Sequence, residues 1–473
     1  PRPDKHPYPE LTEPHVSPVG SGTAREHHQR HCQRHPRRAS LNEAVRSYLD
    51  TAAVAALANE PIGWRFKGLP AAWDGLTPAQ VCASGPSAFT SGLFESGPLG
   101  PVCLLRAEAL AHNLATMASW CERHAVELAP HGKTHMAPQL VAEQFEAGCC
   151  AVTAATISQV RTYRAFGVRD VVLANELVDA AGLAWLAAEL DGDDEFRAIC
   201  WVDSIRGVEL MTAALHGARR QVEVCVEVGA PGGRTGCRTN DEVDAVAAAV
   251  MASPRLRLAG VAGYEAALGH DVSPAGVQRI LHYLNEVRSA AERLAALVDG
   301  PEFIVTAGGS THFDLVADAL TGDWRTILRS GAYLTHDDGL YQRTSPLSRP
   351  GSAPGGFRPA MQVWAQVCSR PEPGLALLTM GRRDVSFDQD LPVPQQLRRE
   401  SGWTSDGLAG CEVVKLNDQH AFLGLSPAAE DSVEVGTWIQ FGVSHPCTVF
   451  DKWQLIPVLD DRDQVVELVR TFF

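Results

Sequence analysis

The sequence predicts a (β/α)8 barrel followed by a mostly-β domain. Between Val126 and Leu328, eight short β-rich runs alternate with amphipathic helical runs. Alternation of that kind over about 200 residues implies a parallel sheet, and eight strands are the number that closes a barrel. Beyond Tyr341 the helical runs stop and short alternating segments take over. A doubly wound open sheet is the other parallel arrangement, but no GxGxxG follows an early strand.

Residues 1–40 are rich in Pro, His and Arg and nearly free of large apolar side chains, the composition of a disordered tail. His27, His28, His31, Cys32 and His35 have metal-ligand chemistry, but nothing around them fixes a ligand geometry. Residues 41–105 read as a helical and extended segment. One or two helices fall between Leu41 and Leu99, interrupted near Pro61–Gly75 and Ser84–Pro101.

The barrel is expected over residues 106–341. Its strands are read at Val126–Leu128, Cys150–Thr153, Val171–Leu173, Ala198–Val202, Val222–Val228, Leu256–Val261, Phe303–Val305 and Thr326–Leu328. Its helices are read at Pro138–Ala147, Ile157–Phe166, Ala180–Leu190, Gly207–Leu215, Asp241–Met251, Gly276–Leu297 and His312–Leu320. The β domain is expected over residues 342–473, entered through a Pro/Gly/Ser-rich linker from Arg343 to Phe357. Its strands are read at Gln362–Val367, Ala376–Leu378, Glu412–Leu416, Thr437–Gly442, Cys447–Phe450 and Val465–Phe472, with no internal repeat.

The 473 residues are 45% hydrophobic and 21% charged, as in ordinary globular proteins. A net charge of −15 argues against a nucleic-acid or acidic-membrane partner. No apolar run approaches the ~18 residues of a membrane span, and the start has no apolar secretory core. Twelve cysteines are scattered, with only Cys149 and Cys150 adjacent, which reads as reduced thiols in a cytoplasmic protein.

In such a barrel the loops after the strands build the active site. After the first strand come His131, Lys133 and His135. A lysine shielded there can have its pKa lowered enough to act as a nucleophile, and such an amine is the usual anchor for an aldehyde cofactor such as pyridoxal phosphate. The bland reading is a surface lysine on a turn. Gly308, Gly309 and Ser310 lead into a helical run, where glycine backbone and a helix N-terminus suit a phosphate. Arg234, among glycines on the same rim, can hold a substrate carboxylate, a phosphate or a ring nitrogen, or be a solvated loop arginine. Tyr264 and Tyr333 can pack on the cofactor or reach its phosphate, or be plain rim aromatics. Asp203 follows the fourth strand. In the second domain, Ser444-His445-Pro446-Cys447 places an imidazole and a thiol two residues apart. On an extended segment both share a face and can share a zinc ion; a buried structural cysteine is the default alternative.

Taken together, PHGKTHMAPQL (Pro130–Leu140), VDS (Val202–Ser204), EVGAPGGRTGCR (Glu227–Arg238), GYE (Gly263–Glu265), TAGGS (Thr306–Ser310), LRSGAYLTHDDGLY (Leu328–Tyr341), MGRRDVSFD (Met380–Asp388), LNDQH (Leu416–His420) and SHPCTVFDKW (Ser444–Trp453) resemble the D-serine dehydratase/D-threonine aldolase family of pyridoxal-phosphate enzymes, and most closely its bacterial amino acid deaminases. The resemblance runs from about Pro101 to Phe473. It implies the alanine-racemase-like fold, pyridoxal-phosphate fold type III. It also implies pyridoxal phosphate held covalently by Lys133 with His131, Arg234, Tyr264, Gly308, Gly309, Ser310 and Tyr333 around it, and zinc, or alternatively manganese, on His445 and Cys447. The implied reaction is elimination from D-serine or a related β-hydroxy D-amino acid, giving a keto acid and ammonia, in a homodimer. Relatives that cleave the carbon–carbon bond tend to carry aspartate where Cys447 stands. D-Threonine aldolase, racemase and non-enzymatic cofactor-binding activities are the alternatives. Where relatives often have glycine after GYE, this chain has GYEAALGH.

Overall fold

In the computed structural model the described residues are 49–83, 93–94, 96–298, 302–352, 354–399, 402–404 and 406–473. The tail expected over residues 1–40, with its His27–His35 cluster, lies outside them.

The helices expected between Leu41 and Leu99 have counterparts at Thr51–Ala56 and Pro78–Ala83, and after them come a strand and a helix absent from the sequence expectation. Strand β1 (Val102–Arg106) is followed at once by a helix, Ala107–Arg123. The strand is buried on both faces, so its VCLL run carries no alternation to betray it. The helix buries Ala109, Leu110, Asn113, Met117, Trp120 and Cys121 along one side. Asn113 breaks the apolar stripe for a reason: its amide donates to the carbonyls of Leu334 and Arg358 and accepts from the Arg358 N–H, tying the helix to the barrel exit.

All eight expected barrel strands form: β2 (Glu127–Leu128), β3 (Val152–Ala154), β4 (Asp170–Glu176), β5 (Arg197–Val202), β6 (Val222–Val228), β7 (Leu256–Gly263), β8 (Ile304–Ala307) and β9 (Arg325–Leu328). They are parallel in the order β2-β9-β8-β7-β6-β5-β4-β3. The ring closes where the Cys150 N–H donates to the Leu128 carbonyl (2.9 Å) and the Thr153 N–H to the Pro130 carbonyl (2.9 Å). Ala129, Ala151, Val172, Ile199, Trp201, Cys225, Ala262, Ile304 and Ile327 fill the interior. Alternate residues such as Val171, Val224 and Val261 pack outward beneath the helices. At Gly260 a Cβ would fall 1.9 Å from the Ile304 carbonyl, so only glycine lets β7 approach β8 this closely.

The second domain is built from β10 (Met361–Glu372), β11 (Leu375–Leu378), β12 (Val393–Arg399), β13 (Gly402–Thr404), β14 (Glu412–Leu416), β15 (Ala421–Gly424), β16 (Trp438–Gly442), β17 (Leu455–Leu459) and β18 (Val465–Arg470). Strand β1 lies inside this sheet, antiparallel to β10 and parallel to β17. The end of the 41–105 segment therefore belongs to the β domain, and the chain crosses from that sheet into the barrel and back. One expected strand is absent: Cys447–Phe450 is a single helical turn. Pro446 causes this. Its ring fixes φ in the helical range, and its carbonyl accepts from Val449 and Phe450 at 2.9 and 3.1 Å. Among the described residues no helix is long and apolar enough to cross a membrane.

Candidate active site

The mouth of the barrel follows from strand alternation. Each inward residue of the core has another inward residue two positions on. Beyond Ala129 comes His131, beyond Ala174 Glu176, beyond Trp201 Asp203, beyond Cys225 Glu227, beyond Ala262 Tyr264, beyond Ile304 Thr306, and beyond Ile327 Arg329. The lower layer is apolar and this upper layer is polar, so the barrel itself makes a chemically active floor.

Lys133 lies in a 3-10 turn, Gly132–Thr134, directly above that floor. Burial lowers its pKa. Cys447 opposes this, while Arg234 and Arg329 add to it, and the net direction is down. The residue nonetheless remains exposed. His131 is held neutral chiefly by burial and then by Lys133 and Arg329, and its Nδ1 is buried without a hydrogen-bond partner. His135 faces away. Its Nδ1 accepts the Ala137 N–H (3.1 Å), its Nε2 donates to Gln144 (3.3 Å), and burial takes its pKa down to about 4. That imidazole is satisfied and structural.

The Arg234 guanidinium sits over the Tyr264 ring, 4.7 Å from its centroid. The Tyr264 N–H donates to the Tyr283 hydroxyl (2.8 Å), and burial raises the pKa of the Tyr264 phenol. Arg329, only 7% exposed, donates to the Thr306 hydroxyl and the Gly263 carbonyl, both at 2.6 Å. Asp203 accepts from the Gly236 N–H (3.1 Å), anchoring the glycine loop that carries Arg234.

Three predicted site residues, Gly308, Gly309 and Tyr333, differ from expectation. The N–H groups of Gly308 and Gly309 do not point into an open cup: they donate to the two carboxylate oxygens of fully buried Glu265, at 3.0 and 2.7 Å. An anion on this loop has Ser310 and the start of the Phe313–Leu320 helix left to it. Tyr333 is a core residue. It is 2% exposed, packs 6.0 Å from Phe357, and its hydroxyl accepts from Gln144 (3.3 Å). The sequence placed it on the rim because it follows β9 by a few residues, but the chain has already turned under the helices.

The second domain brings His445 and Cys447 to the same place by a different geometry from the extended one expected. His445 adopts φ +57°, and Cys447 opens the helical turn after Pro446. The Cys447 thiol donates to the Thr134 hydroxyl (3.4 Å), beside Lys133. The His445 Nδ1–H donates to Asp388 at 2.5 Å. Burial alone would lower the His445 pKa, but Cys447 and Asp388 outweigh it and push it up to about 9. One nitrogen and one sulfur donor side by side suit zinc. Among the described residues no group of three or more His, Cys, Asp or Glu side chains is placed to hold a metal ion. Tyr341 also borders this junction. Burial raises its pKa, with Cys447 and Tyr264 acting in the same direction. The sequence places Glu265 and Arg329 on the active-site loops without a role for either and gives no signal for Tyr341 or Asp388 beyond their motifs.

The amine, the imidazole with its unpartnered Nδ1 and the arginine–tyrosine stack fit a planar aldehyde cofactor. Residues 105–352 match the family model for the alanine racemase N-terminal domain, and residues 360–459 match the putative serine dehydratase domain. D-Threonine aldolase from an Arthrobacter species is 25% identical over 75% of this chain and 87% of its own length. D-threo-3-Hydroxyaspartate dehydratase from Delftia sp. is 26% identical over 50% of this chain and 61% of its own. The crystal structure of D-threonine aldolase from Filomicrobium marinum superposes with a TM-score of 0.67 at 26% identity, covering 78% of this chain and 94% of that one.

Proposed function

The chain belongs to the D-serine dehydratase/D-threonine aldolase family of the alanine-racemase-like fold, and from that premise we propose a pyridoxal-phosphate-dependent lyase that removes water from a β-hydroxy D-amino acid, yielding a keto acid and ammonia. The observation that carries this reading is the approach of Cys447 to Thr134, which sets the His445/Cys447 donor pair beside the Lys133 amine.

Lys133 is the residue that would hold pyridoxal phosphate, and its depressed pKa leaves more of the amine unprotonated and nucleophilic. Bound there, the cofactor supplies an electron sink for the charge left at Cα when a proton departs. The stacked Arg234 and Tyr264 would border the cofactor, neutral His131 would offer its unpartnered Nδ1, and Ser310 with the following helix start would be left for the phosphate. Lys133 takes the Cα proton. His445 and Cys447 would hold zinc, or manganese, whose Lewis acidity eases departure of the β-hydroxyl. The sulfur donor supports elimination over aldol cleavage. The aldolase reading stays second, supported by the long match to the Arthrobacter enzyme.

Incubation with D-serine, D-threonine, D-3-hydroxyaspartate and their L forms tests this, with keto acid, ammonia, aldehyde and glycine assayed separately. Keto acid and ammonia from a D substrate are expected. Aldehyde and glycine alone would establish the aldolase instead. Borohydride reduction should fix the cofactor on the Lys133 peptide, and label on another lysine would overturn the site.

A further inference from the structure

We propose that Asp388 is the positioning residue that sets His445 for metal binding, presenting Nε2 toward Cys447 and Lys133. This rests on the metal reading above and adds to it a residue outside the donor pair. The Asp388 Oδ2 accepts from His445 Nδ1–H at 2.5 Å. Its Oδ1 accepts from the Thr448 hydroxyl at 2.9 Å. Both carboxylate oxygens are therefore engaged, and one partner, Thr448, sits on the helical turn that carries Cys447. Ring and thiol are referred to one rigid group.

The backbone of His445 is held just as firmly. Its N–H donates to Asp337 Oδ2 at 2.9 Å, and Asp337 Oδ1 accepts from the N–H groups of Gly339 (3.1 Å) and Tyr341 (2.8 Å). That grip keeps a non-glycine residue at φ +57°, a conformation with few alternatives for its side chain. With Nδ1 occupied, Nε2 is the nitrogen left to a metal, and a carboxylate on the far nitrogen makes the imidazole a better donor. An ordinary surface ion pair explains the contact less well. Only 23% of the His445 side chain is exposed, and such pairs do not call for a second carboxylate fixing the backbone.

The test is zinc affinity, measured by chelator competition on the full chain loaded with pyridoxal phosphate. A cobalt-substituted sample reports the sulfur–metal charge-transfer band. Asp388→Ala should weaken zinc binding by roughly 10–100-fold and Asp388→Asn by roughly 10-fold, the usual range for a lost outer partner. The cobalt–sulfur band should persist at saturating metal, since Cys447 is untouched. If Asp388→Ala fails to fold, Asp388→Asn and Thr448→Val decide, the latter expected to weaken zinc binding by a smaller factor. Wild-type affinity in every folded variant overturns the role given to Asp388. A wild-type protein that binds neither zinc nor cobalt overturns the metal reading itself, and with it this proposal.

Discussion

Glu176 and Glu227 meet as two carboxyl groups at the top of the barrel, one at the end of β4 and the other at the end of β6. Neither Glu176 oxygen nor Glu227 Oε2 has another hydrogen-bond partner among the described residues. Burial, the hydrogen bond to Glu227 and the charges of Glu227 and Asp203 push the Glu176 pKa up to about 8. The raised pKa keeps Glu176 protonated at neutral pH, so its carboxyl can donate the hydrogen bond to Glu227.

Stability follows from that retained proton. A carboxyl whose folded pKa lies above its unfolded value binds more protons when folded. Its contribution is fully present below the unfolded range, near pH 4.5, and is lost as pH rises through about 8. Glu176→Gln should remove this loss. Thermal unfolding at pH 6 and pH 9 should show the variant gaining on wild type by on the order of 1–2 kcal/mol at the higher pH, after discounting for partial exposure. Parallel melting-temperature profiles for the two proteins would show that Glu176 does not retain this proton.

Glu265 should be a structural key to the same floor. Removing its carboxylate orphans two buried backbone donors, those of Gly308 and Gly309. Glu265→Ala should cost on the order of 2–5 kcal/mol in denaturant unfolding, and Glu265→Gln, which keeps one acceptor, distinctly less. A loss below about 0.5 kcal/mol for the alanine variant would mean that the loop finds other partners.

The sequence carried all eight barrel strands, because short β-rich runs separated by amphipathic helices are a local pattern. Strand β6 is read and observed at Val222–Val228. It missed β1 because that strand pairs with β10 and β17, whose positions lie more than 250 residues away, and nothing local marks such a partner. The misreading of Cys447–Phe450 has the opposite cause: Thr and Val favour strands, but the preceding Pro446 decided the backbone locally. The candidate site divides the same way. Lys133, His445 and Cys447 announce themselves by motif. The Glu265 clamp on Gly308 and Gly309, by contrast, depends on two loops meeting in space.

Tyr333 offers a direct check on what lies outside the mouth. Its hydroxyl touches Gln144, not the rim. Tyr333→Phe should lower stability by about 0.5–1.5 kcal/mol and leave the visible spectrum and dissociation constant of bound pyridoxal phosphate unchanged. A several-fold weaker cofactor affinity in that variant would return Tyr333 to the site.

The metal separates the candidate reactions. His445 and Cys447 offer one nitrogen and one sulfur donor near Lys133, and among the described His, Cys, Asp and Glu side chains no group of three is placed to hold an ion. An ion held by these two donors would have positions open for a substrate hydroxyl, and it should be removable. Exhaustive chelation should therefore abolish keto acid release from D-serine. It should leave the absorbance of bound pyridoxal phosphate intact, because the proposed anchor, Lys133, lies in the barrel and not in the second domain. Added zinc should restore the reaction, and Cys447→Ala should behave as the chelated enzyme does. Cys447→Asp exchanges a soft donor for a hard one and should shift metal preference from zinc toward manganese. The family resemblance implies aspartate at this position in relatives that cleave the carbon–carbon bond, so the same variant should be assayed for aldehyde release from D-threonine. Undiminished keto acid production after chelation, in protein shown to contain no metal, would leave His445 and Cys447 as structural residues and Lys133 to expel the hydroxyl unaided.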